Sequence, residues 1–237
     1  MRLLLSSLAM LSVLCCTANA DVPLEFQGIH RLKMHVSSGD VKVIGVVGDT
    51  ASVEVVKKRY DERCQLTLEQ HGDLLFVELA SKKLFDARCE ADFTVKVPKI
   101  VNLKFKDGAG DISVEGTSGA MAVVTGSGHV NVKAKLSAFR ARTGSGNLFV
   151  EGLEKSATVR TGSGKVKLVY ERAPSEGQLE IQSGSGNAEV VFPKQTKLQT
   201  RFNAGSGSMK NLLGETRGAK FTLLMNSGSG DLLVGRF

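Results

Sequence analysis

The chain has 237 residues, a formal net charge of +7, four cysteines, no tryptophan and only two tyrosines. That length and an apolar share of 42% suffice for one substantial core and exclude a disordered or low-complexity chain. Scarce aromatic residues argue against a sugar-binding platform of stacked rings, and a basic balance points toward acidic partners.

The first element is a leader. Residues 1–20, "MRLLLSSLAMLSVLCCTANA", place Arg2 before an apolar stretch and close with Ala18-Asn19-Ala20. This is the pattern of a secretory signal peptide cleaved between Ala20 and Asp21. Cys15 and Cys16 stand where a lipidated cysteine could, but Leu14 and Cys15 precede them, not the small residue of a lipobox. No later run approaches the roughly 20 apolar residues of a membrane-spanning helix. The expectation is an exported chain, periplasmic, surface-located or secreted, with no transmembrane segment after cleavage. Nucleic acid is excluded as a partner by compartment.

Residues 21–107 read as a less regular β region, with strands in "ASVEVV", "QLTLEQ", "DLLFVEL", "DFTVKVP" and "VNLKFK". Cys64 and Cys89 fall here. An even cysteine count in an exported chain predicts a disulfide. It would staple an N-terminal cap that blunts an open sheet end.

Residues 108–237 carry a repeat. Gly-x-Gly turns begin at Gly108, Gly126, Gly144, Gly162, Gly184, Gly205 and Gly228, at spacings of 18, 18, 18, 22, 21 and 23. Degenerate versions stand earlier in "SSGDVKV" and "QHGDLLFVEL". Apolar residues alternate with period two on both sides of each turn, the mark of strands with one buried face. A meander of hairpins fits this alternation, and so does a β-solenoid. Only the solenoid gives a reason for the turns to resemble one another: corners stacked in register share one backbone path. The predicted fold is all-β, a single β-solenoid of stacked coils of 18–23 residues, continuous with the N-terminal cap. In this register Val159 points inward between Ala141 and Ile181, and Arg160 points out.

The leader, the segment "DFTVKVPKIVNLKFKDGAGDISVEG" and the Gly-Ser-Gly run together resemble the bacterial adhesin-type family of β-strand-repeat proteins, the group that includes head-GIN-type domains. The resemblance covers about Val41 to Phe237. It implies a β-solenoid, an envelope location and an adhesin role, and it brings no catalytic residues.

The residues themselves offer little chemistry. The four histidines, His30, His35, His71 and His129, lie at turns or strand starts, and the serines sit in Gly-Ser-Gly corners where turn chemistry accounts for them. The position after each turn mixes Asp111, His129, Asn147 and Lys165, which is no calcium ladder. Glu115 and Glu151 share a column with Lys133, a solvated charge ladder and not a paired-carboxylate site. No catalytic residue, metal or cofactor is expected.

One column stands out. Two residues before successive turns come Lys106, Val124, Arg142, Arg160, Gln182, Asn203 and Asn226, facing outward. Arg140, Lys165 and Lys167 are outward in the same coils. Without Arg2 the chain holds 30 basic and 24 acidic residues, net +6; residues 129–172 hold nine and three, also net +6. The candidate binding stripe is therefore Arg140, Arg142, Arg160, Lys165 and Lys167, for an acidic glycan, a lipid headgroup or an envelope protein. A polysaccharide-active enzyme on the same fold and a purely structural or regulatory envelope protein are the competing readings.

Overall fold

The computed structural model describes residues 23–82 and 89–237. The leader and its predicted cleavage residues Ala18, Ala20 and Asp21 lie outside the described residues. The N-terminal strands are β1 (Leu24–Gln27), β2 (Arg31–Val36), β3 (Val41–Val46), β4 (Thr50–Arg59), β5 (Cys64–His71), β6 (Leu74–Ser81) and β7 (Glu90–Pro98). The middle holds β8 (Asn102–Ala109), β9 (Ile112–Ser127), β10 (Val130–Thr143), β11 (Leu148–Leu153), β12 (Ala157–Ser163), β13 (Val166–Tyr170), β14 (Gly177–Ser185) and β15 (Ala188–Phe192). The C-terminal strands are β16 (Gln199–Ser206), β17 (Met209–Asn211), β18 (Phe221–Ser229) and β19 (Leu232–Arg236).

Each coil contributes one strand before its Gly-x-Gly corner and one after. The first set stacks into sheet one, in the order β6, β2, β8, the second half of β9, the second half of β10, β12, β14, β18 and β16. The second set stacks into sheet two, in the order β7, β3, the first halves of β9 and β10, β11, β13, β15, β19 and β17. All these pairings are parallel. The fold is thus a flattened β-solenoid, and the inward side chains of both sheets form one continuous core. Ala141 pairs with Val159 and Val159 with Ile181, all three buried, while Arg142 pairs with Arg160 outside.

The corner glycines have a stated cause. A Cβ added to the first glycine of a corner would meet the carbonyl oxygen of the coil beneath: Gly144 would stand 2.4 Å from the Gly126 oxygen, and Gly162 as far from that of Gly144. A Cβ on the second would come closer, 2.0 Å for Gly146 against the Gly128 oxygen, and Gly146 also has a φ of 109°. Both glycines are therefore demanded by the coil below. In the outermost N-terminal coil, where no coil lies beneath, Ala91 takes the place of the second glycine and Gly39 rests on its carbonyl.

A second ladder runs along the corner. The position after each turn accepts the backbone N–H of the next coil through its side chain: Asp40 from Asp111 (2.9 Å), Asp111 from His129 (2.7 Å), His129 Nδ1 from Asn147 (3.1 Å) and Asn147 from Lys165 (2.9 Å). Asn187 and Asp231 continue it with Asp231 and Ser208. The mixed composition of this column follows: any acceptor serves, and Lys165 is a position without one.

Three expectations are corrected. Coils do not stack in chain order at the C-terminus, because β18–β19 is inserted between β14–β15 and β16–β17. Phe221, Leu223, Met225, Leu232 and Val234 are buried, whereas the equivalent Phe202 and Met209 are not, so the more apolar coil takes the inner place. "QHGDLLFVEL" is not a coil corner. Gly72, at φ 61°, turns the antiparallel β5–β6 hairpin. Finally, β2–β3 belongs inside the stack, sandwiched between β6–β7 and β8–β9.

The N-terminal end is closed by antiparallel strands, β5 on sheet one and β4 with β1 on sheet two. Cys64 and Cys89 form the expected disulfide, with Cα atoms 5.6 Å apart. It ties β5 to the entry of β7 and joins the cap on one sheet to the cap on the other. Closing 25 positions restricts the unfolded chain by roughly 3–4 kcal/mol in the loop-entropy view.

Candidate anion-binding face

Sheet one faces outward with two adjacent columns of side chains. Beside the glycine corners run Glu78, His35, Lys106, Val124, Arg142, Arg160, Gln182, Asn226 and Asn203 in stacking order. The neighbouring column begins Phe76, Lys33, Lys104, Ala122, Arg140 and Thr158. From β2 to β12 neither column holds an acid. Lys33, Lys104 and Lys106 form one cationic group and Arg140, Arg142 and Arg160 another, separated by the neutral strand that carries Ala122 and Val124.

The structure divides the predicted stripe. Arg140, Arg142 and Arg160 are brought together on this face. Lys165 sits past the corner in the acceptor ladder, and Lys167 lies on the outer face of sheet two, bonded to Glu189 at 3.1 Å. Lys165 and Lys167 are not on the face of the arginines. A run of sequence that crosses a corner is split between two sheets, and the net charge of a window cannot show this. The sequence reading missed Lys33 and Lys104 and left Lys106 outside the stripe. The available signal was "SSGDVKV", whose glycine places Lys33 and His35 in the register of Lys104 and Lys106.

Among the described residues, Lys104, Lys106, Arg140, Arg142 and Arg160 make no ion pair, and all five are exposed. Lys33 lies over the Phe76 ring at 5.0 Å. Burial and the neighbouring Lys33 and Lys106 hold His35 below the usual histidine range, against the pull of Glu78 at 3.7 Å. Stacked like charges on neighbouring strands repel at a separation near 4.8 Å.

Beside the arginine column runs an open groove of about 670 Å³, walled by Val124, Arg142, Arg160 and Gln182. Gly126, Gly144, Gly162 and Gly184 line it as well and give it no side chains. It meets a second stretch of about 400 Å³, lined by Gln182, Asn226 and Asn203 together with Gly205 and Gly228. No carboxylate lines either part.

Under the corner lies one buried acid. Thr125, Thr143 and Thr161 form an inward column, and Asp107 takes the same place one coil earlier. Burial pushes its carboxyl up to about 7, and the nearby Asp40 and Asp111 add to the rise. The Thr125 hydroxyl has one proton and donates it to the Ser127 carbonyl at 2.9 Å. Asp107 Oδ2, 3.4 Å away, is then best satisfied as a neutral acid donating to Thr125. Since the folded value lies above the ordinary carboxyl value of 3.8, the stabilising effect is complete below about 4 and disappears as pH rises through about 7. Asp107→Asn should raise the stability at pH 8 by roughly 1–2 kcal/mol after allowance for solvent screening, and leave it nearly unchanged near pH 4. Thermal melts across this range check it; an equal effect at both pH values would contradict a buried proton at this site.

The fold and face define an all-β, two-sheet solenoid with a cationic outer surface. The chain belongs to the Toastrack DUF4097 family, whose model matches residues 13–234. No curated protein matches it. Similar solved structures include a "putative cell adhesion protein" from Clostridium sporogenes, at 13% identity and TM-score 0.41, covering 91% of this chain and 100% of that one. A "putative adhesin" from Bacteroides fragilis has 12% identity and TM-score 0.48, covering 90% and 96%. Another from Parabacteroides distasonis has 11% identity and TM-score 0.37, covering 92% and 98%.

Proposed function

We propose that this chain is an exported, non-enzymatic binding protein of adhesin type, and that the cationic face of sheet one holds an anionic partner of the cell envelope. The observation that carries this reading is the presence, on three strands of one sheet face, of five exposed cations that make no ion pair among the described residues. The leader pattern and the disulfide support export, since disulfides persist in oxidising compartments. A carboxylate-free groove favours binding over glycoside hydrolysis, which needs two acids flanking the bond to be broken. An acidic glycan, a lipid headgroup or an acidic envelope protein shares the chemistry required.

The test uses the processed protein and a polyuronate. Affinity should fall by an order of magnitude or more between low and physiological salt, because exposed charges are screened within about 8–10 Å. Reversing both guanidinium charges, Arg142→Asp with Arg160→Asp, should weaken binding at low salt and shift the melting temperature little. Binding that ignores salt and the double reversal would overturn the assignment of this face. No binding to any polyanion would favour the structural or regulatory reading.

A further inference from the structure

We infer that the glycine-lined groove is a subsite for a linear acidic polysaccharide lying along the solenoid axis, its carboxylates on Arg142 and Arg160 and its hydroxyls on the amides of Gln182, Asn226 and Asn203. This rests on the proposed function above and names its ligand.

The groove is linear because the fold is. Val124, Arg142, Arg160, Gln182, Asn226 and Asn203 succeed one another on six stacked strands. Five interstrand steps make a wall about 24 Å long at ~4.8 Å each. Along its side the corners carry glycine, which stacking itself demands, so no side chain interrupts the path. An extended polymer fits such a track.

The wall changes character midway. At one end are two guanidiniums, planar forks that match a carboxylate in two-point geometry. At the other end the wall is a row of primary amides, with the Glu180 carboxylate beside it, next to Gln182 in the neighbouring column. Asn203 Nδ2 donates to Asn226 Oδ1 at 3.1 Å, and Gln182 Nε2 to Glu180 at 2.6 Å. Each amide keeps further donor and acceptor capacity, the requirement for a hydroxyl that does both. A sugar acid supplies carboxylate and hydroxyls in one chain. A lipid headgroup supplies the anion, but a planar array of headgroups would engage the flat sheet face and leave the amide half idle. At the wall only Val124 is both apolar and strongly exposed, at 45%, too little to enter a bilayer interface. With no tryptophan in the chain, recognition falls to charge and hydrogen bonds.

The experiment uses the processed full chain, an oligogalacturonate, its neutral analogue with carboxylates reduced to alcohols, and vesicles of phosphatidylglycerol in phosphatidylcholine. Three double variants, each verified as folded by its melting curve, divide the surface. Arg142→Gln with Arg160→Gln should lower oligogalacturonate affinity about tenfold, and Gln182→Ala with Asn226→Ala about threefold to tenfold. Lys104→Gln with Lys106→Gln, on the same cationic face but outside the groove, should lower it only about twofold to threefold, clearly less than the arginine pair. The neutral analogue should bind more weakly and respond to the amide pair alone. Vesicle binding that falls equally for the Lys and Arg pairs and ignores the amide pair, with no oligogalacturonate binding, would overturn the groove assignment and leave the cationic-face reading standing. Failure of all three probes at low salt would overturn both.

Discussion

Val159→Asp should destabilise the protein by about 4 kcal/mol or more, whereas Arg160→Asp, one residue later, should cost less than about 1 kcal/mol. Val159 has no exposed surface and lies between Ala141 on one neighbouring strand and Ile181 on the other. A carboxylate there would be buried with no cation on the inward side of either strand. Arg160 is exposed, stacked between Arg142 and Gln182, and its loss relieves a like-charge contact. Denaturant melts of the two variants check the register directly. A slip of one residue would exchange the two outcomes, since successive side chains point to opposite faces.

Gly146→Ala should cost about 3 kcal/mol or more, against less than about 0.5 kcal/mol for Ser145→Ala beside it. Two costs coincide at Gly146. Its φ of 109° disfavours any side chain, and its Cβ would sit 2.0 Å from the Gly128 carbonyl oxygen and 2.8 Å from the carbonyl carbon, both backbone atoms unable to turn aside. Gly48 separates the two. Its φ is 116°, yet nothing lies within 4 Å of the position a Cβ would take. Gly48→Ala therefore carries only the conformational cost, about 1–2 kcal/mol. The excess at Gly146 measures coil-on-coil contact, and near equality of the two would contradict it.

The regular coils were legible because local pattern and tertiary contact coincide in them. From Gly108 to Gly186 each coil rests on its sequence neighbour, so spacing, alternation and corner composition all point to one register. Legibility failed where chain order and stacking order part. After Val46 the chain leaves the stack, builds the β4 and β5 caps, and returns as β6–β7 on the far side of β2–β3. Nothing local marks that path except the corner in "SSGDVKV". The same parting hid Lys33 from the candidate face, whereas Lys104 precedes Arg140 by two regular coils and was legible in the repeat. The C-terminal exchange was readable in principle: the coil with Phe221, Leu223 and Met225 is more apolar than that with the equivalent Leu198, Thr200 and Phe202, and the central place in a stack goes to the coil with more surface to bury.

The central claim is that the corner groove of sheet one takes up an anionic polymer, and an amide-resolved NMR titration of the processed protein with oligogalacturonate tests it most directly. The largest shift changes should fall on Gly126, Gly144, Gly162 and Gly184 and on their neighbours Arg142, Arg160 and Gln182, and they should fade as salt screens the guanidiniums. Changes centred instead on the outer face of sheet two, around Lys167 and Glu189, or none at low salt, would contradict it.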